Sequence, residues 1–177
     1  MLRFANVPFI DHLRPYCGGV CTCPLRKIQN EIMPATFDEF GLRFLYPDNW
    51  TSVVDEEEAG NSATLQMPSG GFCSIVRDQS QNLDEQLVDE IRDAIIAEYN
   101  EVESEILPID SFFDNGLAVD LKFYYLDLLI MLRTIVTRIA GQRFVIQIQA
   151  ESRDFDANEM VFGAILKQIR ECDPSDD

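Results

Sequence analysis

Histidine is almost missing. The chain of 177 residues contains one, His12. Hydrolytic triads and most catalytic zinc sites are built on an imidazole. A body of sequence without one therefore argues against those chemistries, although carboxylate or lysine chemistry survives the shortage. Basic residues are also scarce, 14 against 31 acids, for a formal net charge of -17. Within residues 1–32, Arg3, Arg14, Arg26 and Lys27 outnumber Asp11 and Glu31, giving +2, so the remainder carries −19. A surface that acidic repels phosphate backbones and anionic headgroups, which excludes nucleic acid and argues against a peripheral membrane role. It suits a protein partner, with a basic one as the natural complement.

Long apolar runs are lacking too. The best candidate, FYYLDLLIMLRTIV (123–136), is broken by Asp127 and Arg133, so no membrane insertion is expected. The first residues, MLRFANVPFIDHLRPY, have no continuous apolar stretch of the kind a secretory signal needs. Five cysteines, an odd number, are then read as reduced thiols in a cytoplasmic protein. Cys17, Cys21 and Cys23 crowd into CGGVCTC near His12. Their spacing fits a tetrahedral zinc site poorly, so no metal is assigned. DFDAN (154–158) begins like a calcium loop but lacks the glycine and the final glutamate, and PSGGF (68–72) has no Lys-Ser/Thr after it. No cofactor is assigned.

What is present is a pattern of strands and helices. Residues 1–34, with Pro8, Pro15, Gly18, Gly19 and Pro24 and no sustained period, read as an extension without regular structure. Met33 precedes the regular pattern, and a start there would leave a 145-residue domain. One domain is expected over 35–172, with a polar tail at 173–177. In GLRFLYPDNW, Leu42, Phe44 and Tyr46 alternate as in a strand, and Pro47 ends it. Trp50 opens a second strand and is placed as a plug on the sheet's apolar face. Turns at 60–61 and 68–71 lead to two more strands, SATLQM and FCSIVR, so that the four read as one antiparallel meander.

Residues 82–100 then change period. Leu87, Val88, Ile91, Ala94, Ile95 and Tyr99 form a helical stripe, with Asn82 and Glu85 as a capping box. VESEILPI reads as an edge strand, and DNG (114–116) as a hairpin turn. LAVDLKFYY, LLIMLRTIVTRIA and RFVIQIQA are the longest strands. The middle one is apolar on both faces, which requires cover on both sides. A closing helix buries Val161, Phe162, Ile165, Leu166 and Ile169, with Asp156 and Glu159 as its capping box and Phe155 stapled to Met160. The expected fold is α+β, a three-layer α/β/α sandwich around one mostly antiparallel β-sheet.

GLRFLYPDNW, TLQMPSGGFCSIV, the amphipathic helix, LAVDLKFYY, GQRFVIQIQA and DFDANEMVFGAILKQI occur in an order that resembles the PsbP-like fold. That group includes photosystem extrinsic subunits, a eukaryotic Ran-binding nucleotide-release factor and bacterial DcrB-like proteins. The resemblance covers roughly residues 37–171 and implies a sandwich used to dock onto other proteins, in most members without catalysis. The run Asp55, Glu56, Glu57 and Glu58 is the candidate contact for a basic partner. It reads equally as an acidic guard on a hairpin tip. Three functions stay open: a non-enzymatic protein-binding domain, a chaperone for exported cargo, and a carboxylate-dependent hydrolase or other enzyme.

Overall fold

Twelve residues, Leu128–Ile139, form the strand on which the architecture turns. Side chains alternate across a strand, so a segment apolar at nearly every position must be covered twice. Ile130, Leu132 and Val136 join one apolar cluster, while Met131, Ile135 and Ile139 join the other. The computed structural model describes residues 34–55 and 62–172 and shows both covers in place.

The chain order is β1 (Pro34–Glu39), β2 (Leu42–Pro47), β3 (Thr51–Asp55), β4 (Ser62–Gln66), β5 (Phe72–Asp78), α1 (Asp84–Glu98), β6 (Glu103–Leu107), β7 (Leu117–Tyr125), β8 (Leu128–Ile139), β9 (Gln142–Glu151) and α2 (Ser152–Arg170). A seven-stranded sheet runs β3-β4-β5-β9-β8-β7-β6, and every pair in it is antiparallel. It consists of two meanders, joined where β9 lies beside β5. β5 and β6 are therefore four places apart, and α1 bridges them across one face. Leu87, Val88 and Ile91 of α1 pack there on Val119, Leu121 and Phe123 of β7. On the other face lie α2 and the β1–β2 hairpin, meeting Cys73, Ile75, Phe144, Ile146 and Ile148. The fold class is thus the expected three-layer α+β sandwich.

Local details differ from the sequence reading. Residues 42–47 do not start the meander. They pair with Pro34–Glu39 as a separate hairpin, whose register brings Phe37 opposite Phe44, with ring centroids 4.7 Å apart. Turn chemistry at Pro47-Asp48-Asn49 marks a change of layer, and Trp50, 6% exposed, drops against Phe162 of α2. DNG is no two-residue turn either, since residues 108–116 as a whole connect β6 to β7. Gly116 is needed for another reason: a Cβ there would collide with the carbonyl of Val136. Tight turns do join β7 to β8 at Leu126-Asp127 and β8 to β9 at Ala140-Gly141.

Both expected capping boxes shift. The residue before α1 is Leu83, whose amide donates to Gln86 Oε1 at 3.1 Å, while Asn82 Nδ2 donates to Glu90. Leucine has no acceptor, so only half of a capping box exists. α2 begins at Ser152, directly off β9, leaving Asp156 and Glu159 inside the helix. Phe155 turns inward onto Phe162, and Met160 is 90% exposed, so there is no staple between Phe155 and Met160.

Candidate functional site

A polar cleft of about 700 Å³ lies where the chain leaves β5, passes residues 79–83 and enters α1 over the β8–β9 turn. Arg143, on β9, lies at its floor with its side chain 9% exposed. Its Nε donates to Asp78 Oδ2 at 2.6 Å. One terminal nitrogen donates to the carbonyl and hydroxyl oxygens of Ser80 at 2.8 and 2.6 Å, and the other to the Asn82 carbonyl and to Asp84 Oδ1. A guanidinium has five N–H donors, and this set of acceptors engages each of its nitrogens. Arg138 grips Asp84 from the rim with two bonds, of 2.8 and 2.9 Å.

Burial pushes the Asp84 carboxyl up, but the Arg138 and Arg143 guanidiniums outweigh it and hold it below the usual carboxylate range. The same pairing raises Arg138 further above neutrality. The arginines are thus turned onto the protein's own carboxylates and carbonyls. Chemically, the cleft is a clamp that fixes the crossing segment and the start of α1.

A second ion pair lies under α2. Arg133 of β8 meets Asp120 of β7 through two bonds of 2.8 Å, with side chains 13% and 7% exposed. Its guanidinium carbon sits 5.1 Å from the Phe112 ring centroid and 5.2 Å from that of Phe155, a double cation–π contact. A charge held this way between rings and a carboxylate is a tie between layers. The sequence reading used Arg133 only as evidence against a membrane span. A signal was available: a two-residue turn at 126–127 sets Asp120 directly opposite Arg133.

The outward surfaces look different. Along α1, Glu85, Asp89, Glu90, Asp93 and Glu98 are exposed. Glu101, Glu103 and Glu105 continue the series onto β6, the outermost strand on that side. Between residues 84 and 114 the only base is Arg92, and it already pairs with Asp89 at 2.9 Å. Of the acidic run chosen from the sequence, Asp55 closes β3, half-buried and opposite Ser62; Glu56, Glu57 and Glu58 lie outside the described residues, as do His12, Cys17, Cys21 and Cys23. The sequence reading assigns Glu85 to a capping box and VESEILPI to an edge strand, and does not single out the α1–β6 acids as a contact.

Between β2 and α2 runs an apolar groove of about 320 Å³, lined by Leu45, Tyr46, Pro47, Met160, Val161 and Ala164 among others. Cys73 is fully buried, and burial pushes its thiol up to about 12, so it is inert at neutral pH. Among the described residues, no three metal-ligating side chains cluster, and no helix is long and apolar enough to cross a membrane.

No family model matches the chain, and no curated protein matches it. Among solved structures, it is similar to cyanobacterial PsbP (CyanoP) from Synechocystis sp. PCC 6803. That likeness has 13% identity and a TM-score of 0.49, over 87% of this chain and 96% of that one. It is also similar to a Pseudomonas aeruginosa protein of unknown function, PA94, at 12% identity and a TM-score of 0.43, over 73% of this chain and 90% of that one. At such values neither likeness transfers a partner or an activity.

Proposed function

We propose that this chain is a non-catalytic protein-docking domain that offers an acidic flank to a basic partner. The observation that supports this most is the sidedness of the charge. Six exposed acids, Glu85, Asp89, Glu90, Asp93, Glu98 and Glu101, follow one another on α1 and the approach to β6, with one base among them that is already paired. Such a flank speeds encounter with a basic surface and repels nucleic acid. Arg138 and Arg143, engaged by the protein's own acceptors, give the polar cleft a structural role. On this reading Asp55, at the end of the edge strand β3, adds a further acid at the opposite sheet edge.

The test is capture from native lysate by the wild-type chain and by Asp89→Asn/Glu90→Gln/Asp93→Asn/Glu98→Gln, at low and high salt. A protein retained by wild type, and lost both at high salt and in the variant, supports docking through the flank. Retention that ignores the variant, or turnover of a substrate by the purified chain, overturns it. The apolar groove beside α2 favours a second reading, a holder of apolar cargo segments, in which retention would survive high salt.

A further inference from the structure

We infer that β6 is a receptor edge, onto which an extended basic peptide adds as an eighth strand. This rests on the docking reading and specifies where and how the partner binds. β6 pairs only with β7, and among the described residues no strand lies on its outer side. Four of its five residues are exposed, with Ile106 at 80%.

The ladder fixes which groups are available. The two-residue turn at 126–127 makes Tyr125 and Leu128 a hydrogen-bonded pair, and pair types then alternate along unbroken registers. Glu103, Glu105 and Leu107 thus turn their amides toward β7, while Ser104 and Ile106 present theirs outward. Side chains divide in the same way. Glu103 and Glu105 project on the α2 face of the sheet; Ile106 projects on the α1 face, beyond the cover of the helix.

Charge chooses the occupant. Exposed edges are usually guarded, and here the guards are glutamates. A second copy pairing antiparallel about the strand centre would set Glu105 against Glu105 or Glu103, so self-addition is opposed. A strand with lysine or arginine at alternate positions is favoured. It would also complete the row Arg133, Asp120, Glu105, which ends in two neighbouring carboxylates against one guanidinium. Read antiparallel, the order is apolar opposite Ile106, basic opposite Glu105, any residue opposite Ser104, and basic opposite Glu103. The other edge strand, β3, carries threonine, serine and two valines at 51–54 and a single acid, Asp55, at its end, so it offers no alternating charge.

The probe is the synthetic peptide Thr-Val-Lys-Thr-Lys-Thr, with Thr-Thr-Val-Lys-Lys-Thr as the scrambled control. Amide shifts and hydrogen exchange are followed on the full chain. Saturable binding that slows exchange at Ser104 and Ile106 is expected, together with a loss on the order of tenfold for Glu103→Gln/Glu105→Gln. Ser104→Pro removes an outward donor, which an edge strand tolerates, and should abolish binding. A peptide N-methylated at alternate amides tests the same bonds without altering the protein. If Ser104→Pro and N-methylation leave affinity unchanged while the charge variant lowers it, strand addition is wrong although acidic docking stands. Equal binding of the scrambled peptide, or none of either, also overturns the inference; lysate capture by the α1 variant decides the docking reading separately.

Discussion

The two faces of the sheet are built from the same strands yet do different work. Under α2, rings dominate: Trp50, Phe37, Phe44, Phe144, Phe155 and Phe162 share one cluster with the hairpin. Alternate amides of β2 even reach α2 and the turn after it, Leu45 donating to Gln168 Oε1 at 3.0 Å and Arg43 to Cys172 Sγ at 3.3 Å. Beneath α1 the apolar layer is smaller, and only Leu87, Val88 and Ile91 of that helix are fully buried. Its hold depends on the Arg143 clamp at one end, and its outer side is given over to acids. One face carries the stability, and the other is left free to carry charge.

The largest effect should therefore come from the ring side. Trp50→Ala is expected to cost about 3–5 kcal/mol in denaturant unfolding, and Ile91→Ala on α1 about 2–3 kcal/mol. A costlier Ile91→Ala would reverse the ranking of the faces. Next comes the clamp. Arg143→Met leaves the Asp78 carboxylate, 3% exposed, with the amide and hydroxyl of Ser80 but without the Arg143 guanidinium, and should lose about 3 kcal/mol. Adding Asp78→Asn should recover part of that loss. If it recovers none, Arg143 acts through its carbonyl contacts rather than the charge pair.

A smaller effect belongs to Asp84. Because its carboxyl is held below the ordinary range, the folded chain binds that proton less readily than the unfolded one. The stability it gives is whole above the unfolded value near pH 4 and drains as pH falls through the lower folded value. Asp84→Asn should cost about 1–2 kcal/mol at pH 7 and flatten the acid limb of the stability profile. An unchanged acid limb would show that the pairs with Arg138 and Arg143 contribute nothing.

Much of this contrast was legible from residue order. Period-two alternation located β2, β7 and β9, and the doubly apolar run at 128–139 announced cover on both faces. Breaks came where long-range geometry overrides local pattern. β1 (PATFDE) alternates too weakly to be seen alone, and only its pairing with Phe44 explains Phe37. Gly116 looked like a turn glycine, yet the approach of Val136, twenty residues away, dictates it. The clamp was invisible because Asp78, Asp84, Arg138 and Arg143 are brought together by the β5–β9 pairing and the α1 crossing. The β6 edge was read correctly as an edge, but its acids gained meaning only once the pairing with β7 set Glu105 beside Asp120.

The smallest effect tests the boundary of the ring face. A staple between Phe155 and Met160 would bury the methionine, and polar substitution would then cost more than 1 kcal/mol. With Met160 90% exposed on α2, Met160→Gln should instead leave stability within about 0.5 kcal/mol. That near-silence makes the variant useful, because Met160 also lines the apolar groove beside β2. If apolar cargo binds there, Met160→Gln weakens its retention without moving the unfolding midpoint. Retention that is unaffected, alongside loss in the acidic-flank variant, would place binding wholly on the α1 side. A loss of stability above 1 kcal/mol would mean that the ring face extends further along α2 than its exposed surface shows.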